Sequence, residues 1–147
     1  VWARDGQPNF LVRMSVRGQP VSAATRAMGV ADVASRELRP IALPGNDIDW
    51  VADLDYPGRH ALVVGRTGNL YAFDLSTRQL TGRIDGLVQP MPTSGTFPSP
   101  FMSVADGVAY VSNPTRGEVV EVALSTAGVP TVARRLAVGG TPSRLVV

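Results

Sequence analysis

The feature that most constrains this sequence is that it repeats itself. Val30-Ala31-Asp32-Val33-Ala34-Ser35-Arg36-Glu37-Leu38 aligns with Ala72-Phe73-Asp74-Leu75-Ser76-Thr77-Arg78-Gln79-Leu80. Asp32 falls on Asp74, Arg36 on Arg78 and Leu38 on Leu80, an offset of 42. A looser third copy runs from Val120 to Thr126, where Leu124-Ser125-Thr126 falls on Leu75-Ser76-Thr77, an offset of 49. Each copy is an alternating segment, a polar turn and a second extended segment, which is a β-hairpin pattern. Another alternating pair precedes each hairpin, at residues 10–16 and 21–24, 48–54 and 61–64, and 101–104 and 108–112. The unit is therefore four short strands recurring every 42 to 49 residues. Gly 15 and Pro 12 among 147 residues point the same way, because helix interiors tolerate both poorly.

Four-stranded units at this period are the sequence mark of propeller blades. The expected fold class is all-β, a partial β-propeller of about three four-stranded blades from a larger ring. The expected organisation is an orphan strand at 1–5, a blade at 10–43, a blade at 47–85, a Pro-rich inter-blade loop at 86–98, a blade at 99–138 and an orphan strand of a neighbouring blade at 141–147. A helix over 21–39 competes with this, seeded by Ala23, Ala24, Ala27, Ala31 and Ala34. Gly29 and the alignment with the later hairpin favour strands. Three blades close a ring poorly and leave strand edges and blade faces unpaired. The remaining blades, from the same gene product or another chain, are the expected partners. The chain begins at Val1 with no export-signal pattern, so it is expected to start inside a longer product or to have lost a signal.

Composition removes several function classes. Cysteine is absent, which excludes disulfides, thiolate catalysis and cysteine-ligated metals. No apolar run approaches the roughly 20 residues of a membrane span. The net charge is +2, all 14 basic residues are arginine, and only Arg134 and Arg135 are adjacent. Scattered charges do not build the basic stripe that nucleic acid needs. There is no P-loop, dinucleotide fingerprint or zinc-protease motif. Gly65-Arg66-Thr67-Gly68 reads as a hairpin turn, not a phosphate cradle.

Tyr110-Val111-Ser112-Asn113, with Ser103–Ala109 before it and Glu118–Val122 after it, resembles the signature of the YVTN propeller repeat family. Tyr56-Pro57-Gly58-Arg59 is similar to that family's Pro-Asp-Gly-Lys/Arg turn but lacks the Asp. A narrower likeness is to the periplasmic zinc metallochaperone propellers that accompany bacterial zinc importers. It rests on Val63–Asp74, on Gln89-Pro90-Met91-Pro92 and on Val138-Gly139-Gly140-Thr141-Pro142-Ser143. The resemblance implies an extracytoplasmic location (periplasmic, secreted or cell-envelope), zinc in the complete protein, and a metal-transport binding protein as partner. Those proteins draw their zinc ligands from histidine-rich segments. This chain has one histidine, so the resemblance carries no ligand over to it.

Three candidate sites stand out. Asp47, Asp49, Asp53 and Asp55 alternate with Ile48, Trp50, Ala52, Leu54 and Tyr56, so the aspartates are expected on one face. Such a face could hold a hard cation through oxygen ligands, with Asp47 and Asp49 as candidates; the plain alternative is a solvated polar face. His60 could join a weak metal site with carboxylate ligands, or be a surface turn histidine, since one histidine makes no conventional zinc site. Residues 86–100 are the longest non-periodic stretch, and there Met91, Thr93 and Phe97 are candidates for contacts with a ligand or partner. A Ser-His-Asp triad would need His60 as base, and no spacing supports one.

The expected function is a non-catalytic extracytoplasmic binding propeller, with no cofactor evident in this chain. One alternative is a propeller enzyme, a lyase or quinoprotein, with its site on missing blades. Another is an interaction module that completes its ring with a second chain.

Overall fold

The computed structural model describes residues 9–15, 26–32, 35–55, 59–95 and 97–142. The expected strands at 1–5 and 21–24, and residues 143–147 of the expected final strand, lie outside them. The chain is built from antiparallel strands, and the residues proposed for a competing helix contain strand instead. The first sheet comprises β1 (Asn9–Ser15), β2 (Arg26–Asp32) and β3 (Leu38–Ile41), in that order. The second comprises β4 (Asp49–Leu54), β5 (His60–Gly65), β6 (Leu70–Asp74) and β7 (Leu80–Ile84). The third comprises β8 (Met102–Ala105), β9 (Val108–Asn113), β10 (Glu118–Leu124) and β11 (Pro130–Ala137). In the first sheet β1 lies directly beside β2, so its described part has three strands.

Period-two alternation divides the side chains between two apolar cores. In β5, Ala61 and Val63 enter a core shared with Met28, Val30, Ile41 and Leu43 of the first sheet and its exit. Leu62 and Val64 point the other way, into a core shared with Val104, Ala109, Val111, Val120 and Val122 of the third sheet. The second sheet is thus covered on both faces, which is why β5 and β6 read as near-continuous apolar runs.

The turns follow local chemistry. The Asp74 carboxylate accepts hydrogen bonds from the Ser76 hydroxyl at 2.6 Å and from the Ser76 and Thr77 amides at 2.8 Å each, closing the β6–β7 turn. Gly68, at φ +84°, is demanded by close approach. A Cβ there would fall 2.3 Å from the carbonyl oxygen of Val88, and Val88 N–H donates back to Gly68 at 3.1 Å. That bond seats the start of the inter-sheet linker, whose Leu87 and Val88 are buried in the second core.

Candidate functional site at the seam between two sheets

Strand β4 ends at Leu54 and the chain turns back into β5 at His60. Asp55 and His60 face each other across that turn. The Asp55 N–H donates to the His60 carbonyl at 3.0 Å. In return, Asp55 Oδ1 accepts the His60 N–H at 2.7 Å, and Oδ2 lies 2.6 Å from His60 Nδ1. Both side chains are buried, with relative exposures of 5% for His60 and 9% for Asp55. A carboxylate is an acceptor only, so this geometry places a hydrogen on Nδ1 and fixes the ring. His60 is therefore not the surface turn residue that its Pro-Gly-Arg context suggests.

The burial comes from the third sheet. Gly128, in the β10–β11 turn, has φ +75°, and a Cβ on it would fall 2.2 Å from His60 Cδ2. The Thr81 hydroxyl of β7 donates to the Gly128 carbonyl at 2.8 Å. Gly128 is thus gripped by two side chains of the second sheet. Beside this contact lies a cleft of about 220 Å³, lined by Asp55, Arg59, His60, Gly107, Leu124, Ser125 and Thr126.

The cleft contains the residue types of a nucleophilic triad, but not its connections. Ser125 Oγ accepts the Val129 N–H at 3.1 Å, and no hydrogen bond joins Ser125 to His60 among the described residues. What the arrangement does is lock one sheet against the next. The sequence missed Asp55 as the partner of His60. The only signal was a spacing of five across a proline-glycine turn.

The other sequence candidates go to separate places. Asp47 Oδ1 accepts the amides of Ile48 and Thr67 at 2.8 and 3.3 Å. Its Oδ2 accepts the Thr67 hydroxyl and, at 3.0 Å, the Tyr71 hydroxyl. Asp49 is buried and ion-paired with Arg13, whose Nη2 also donates to the Trp50 carbonyl at 3.2 Å. Asp53 accepts the Leu54 N–H at 2.9 Å. A register slip between Asp49 and Val51 breaks the strict alternation, so the four aspartates form no single acidic face. Among the described residues no three His, Asp or Glu side chains converge as a metal cluster. Asp47, Asp49 and His60 are not brought together.

The linker candidates are also spread out. Met91 is half-buried, and its N–H donates to the Arg66 carbonyl at 2.7 Å. Arg135 Nη1 donates to the Leu87 carbonyl at 3.1 Å, which ties the linker's start to the third sheet. Thr93 is exposed, and the half-buried Phe97 places its ring against Gly95.

No protein-family model and no curated protein match the sequence. Solved structures do. AztD from Citrobacter koseri in its apo form matches at TM-score 0.64 and 21% identity, over 80% of this chain and 30% of its own. A second structure of Citrobacter koseri AztD matches at 0.66 and 20% identity, over 89% of this chain and 35% of its own. The β-propeller domain of Cps50 (Swd1) from Myceliophteria thermophila matches at 0.53 and 10% identity, over 75% of this chain and 40% of its own. The chain thus spans about a third of the AztD chains it matches. At these identities the likeness is one of fold, and it agrees with three sheets stacked through two cores: the chain is a partial β-propeller.

Proposed function

We propose that the chain is the non-catalytic scaffold portion of an extracytoplasmic binding propeller, handling a metal or a partner protein as the zinc metallochaperones it resembles in sequence do. The repeats are read as YVTN-like, with Tyr110-Val111-Ser112-Asn113 inside β9. The observation that carries the scaffold reading is the state of the donors. Asp47, Asp49, Asp55 and His60 each hold an internal partner. The three carboxylates are each engaged inside the fold, and His60 keeps one ring nitrogen, Nε2, which alone makes no conventional zinc site. The residues that carry the narrower likeness agree: Val63–Asp74 forms the β5–β6 hairpin between the two cores, and Gln89–Pro92 lies in the pinned linker. Zinc ligands, on this reading, sit on other blades.

A zinc titration of the full-length protein against a competing chelator tests this. Expected is tight binding that survives His60→Ala at unchanged stoichiometry. A full-length protein that leaves all zinc with the chelator contradicts the metallochaperone reading. Loss of one zinc equivalent in a folded His60→Ala variant contradicts the scaffold reading.

A further inference from the structure

His60 spends only part of its hydrogen-bonding capacity on the fold. Asp55 takes its backbone N–H and its Nδ1. Nε2 makes no hydrogen bond among the described residues, yet it is not shut off from solvent. It opens on the seam cleft, which the ring lines. Gly128 keeps the approach to that nitrogen clear, since a Cβ there would stand 2.4 Å from it.

The other polar groups of the cleft are donors. Arg59 is anchored through its carbonyl, which accepts the Leu75 N–H at 2.8 Å, while its exposed guanidinium has no partner among the described residues. The Ser125 hydroxyl accepts the Val129 N–H at 3.1 Å and so keeps its own hydrogen to donate. The Thr126 hydroxyl makes no hydrogen bond among the described residues. Leu124 adds half-buried apolar surface. Two sheets thus build one cleft, with Arg59 and His60 from the second and the Leu124–Thr126 stretch from the third.

We infer that this cleft binds a small α-amino acid, its carboxylate on the Arg59 guanidinium and its ammonium donating to His60 Nε2. Size sets the first limit. Pockets for larger organic ligands run to roughly 300–1,000 Å³, and this one is about 220 Å³. A guanidinium fork matches a carboxylate, and the two hydroxyls add donors to the same end of the ligand. A simple carboxylate would leave Nε2 without a donor, because with a hydrogen fixed on Nδ1 the neutral ring offers only a lone pair there. An ammonium supplies that donor, and the Asp55 carboxylate behind the ring favours positive charge at this point. One acid and one base in the walls are therefore matched by a zwitterion rather than by an anion. The apolar surface of Leu124 suits a short aliphatic side chain. This inference does not depend on the ring handling a metal.

Nitrogen-15 NMR of the histidine side chains in the full-length protein tests it, with the His60 signals assigned from a His60→Gln variant. The probes are L-alanine, L-lactate and propionate. L-Alanine at millimolar concentration is expected to move the Nε2 signal saturably and to leave Nδ1 in place. Propionate, which lacks the second donor, is expected to bind at least about tenfold more weakly, the loss of one charge-assisted hydrogen bond. Arg59→Gln is expected to weaken L-alanine binding by at least about tenfold, with the unfolding midpoint unchanged. No saturable shift with L-alanine overturns the inference. So does equal affinity for L-alanine and propionate, or undiminished binding in Arg59→Gln. Tighter binding of L-lactate than of L-alanine overturns the ammonium assignment and with it the ligand class.

Discussion

Gly128 lies so close to the His60 imidazole that a Cβ on the glycine would sit 2.4 Å from Nε2, although the two residues belong to different sheets. That contact, the Asp55 bond behind it and the Thr81 bond beside it hold the second and third sheets together at their shared edge.

Gly128→Ala should destabilise the protein by about 2 kcal/mol, combining a positive-φ penalty with a steric clash. In a His60→Ala background the clash is gone and only the backbone penalty remains. Urea denaturation of the four proteins in the cycle measures the difference. Equal costs in both backgrounds would show that the ring is not what Gly128 makes room for.

Asp55→Ala removes the acceptor for both the ring and the amide of His60. Breaking a buried pair from one side costs about 3 kcal/mol, and that is the expected loss. Leu62→Ala should cost a similar amount, about 3 kcal/mol, because Leu62 is fully buried between sheets. Leu80→Ala, at an exposed position of β7, should change stability by under about 0.5 kcal/mol. Comparable losses at Leu62 and Leu80 would contradict the assignment of the second core.

Asp74 gives a pH signature. The Ser76 hydroxyl and then the Thr77 amide lower its pKa from 3.8 to about 2. A lowered folded-state value means the carboxylate stabilises the fold fully above its unfolded value near 3.8. That contribution is lost as pH falls through about 2. The group is well solvated, so screening limits its worth to about 1 kcal/mol or less. Asp74→Asn should flatten this part of the acid limb of the stability curve; an unchanged limb would mean that the turn does not depend on the charge.

Much of the fold is legible in the sequence because it is local. The hairpins alternate with period two, and the repeats at offsets of 42 and 49 fall on β2–β3, β6–β7 and β10–β11. The site is less legible because it is made by distant contacts. His60 is buried by a turn 68 residues further along the chain, at Gly128, which no local pattern announces. The aspartate alternation misleads for a related reason. The slip at Asp49–Val51 is set by pairing with β5, and Arg13 of the first sheet draws Asp49 into an ion pair. Asp47, read as a possible cation ligand, is instead occupied with Thr67 and Tyr71, whose approach depends on the β5–β6 turn.

The stacking of three sheets is tested most directly by amide hydrogen exchange on the full-length protein. The slowest amides should be those of Leu62 to Val64 and Tyr71 to Phe73, in the sheet covered on both faces, with residues 131–137 of the outer strand β11 exchanging far faster. Exchange in β5 as fast as in β11 would contradict the stacked arrangement.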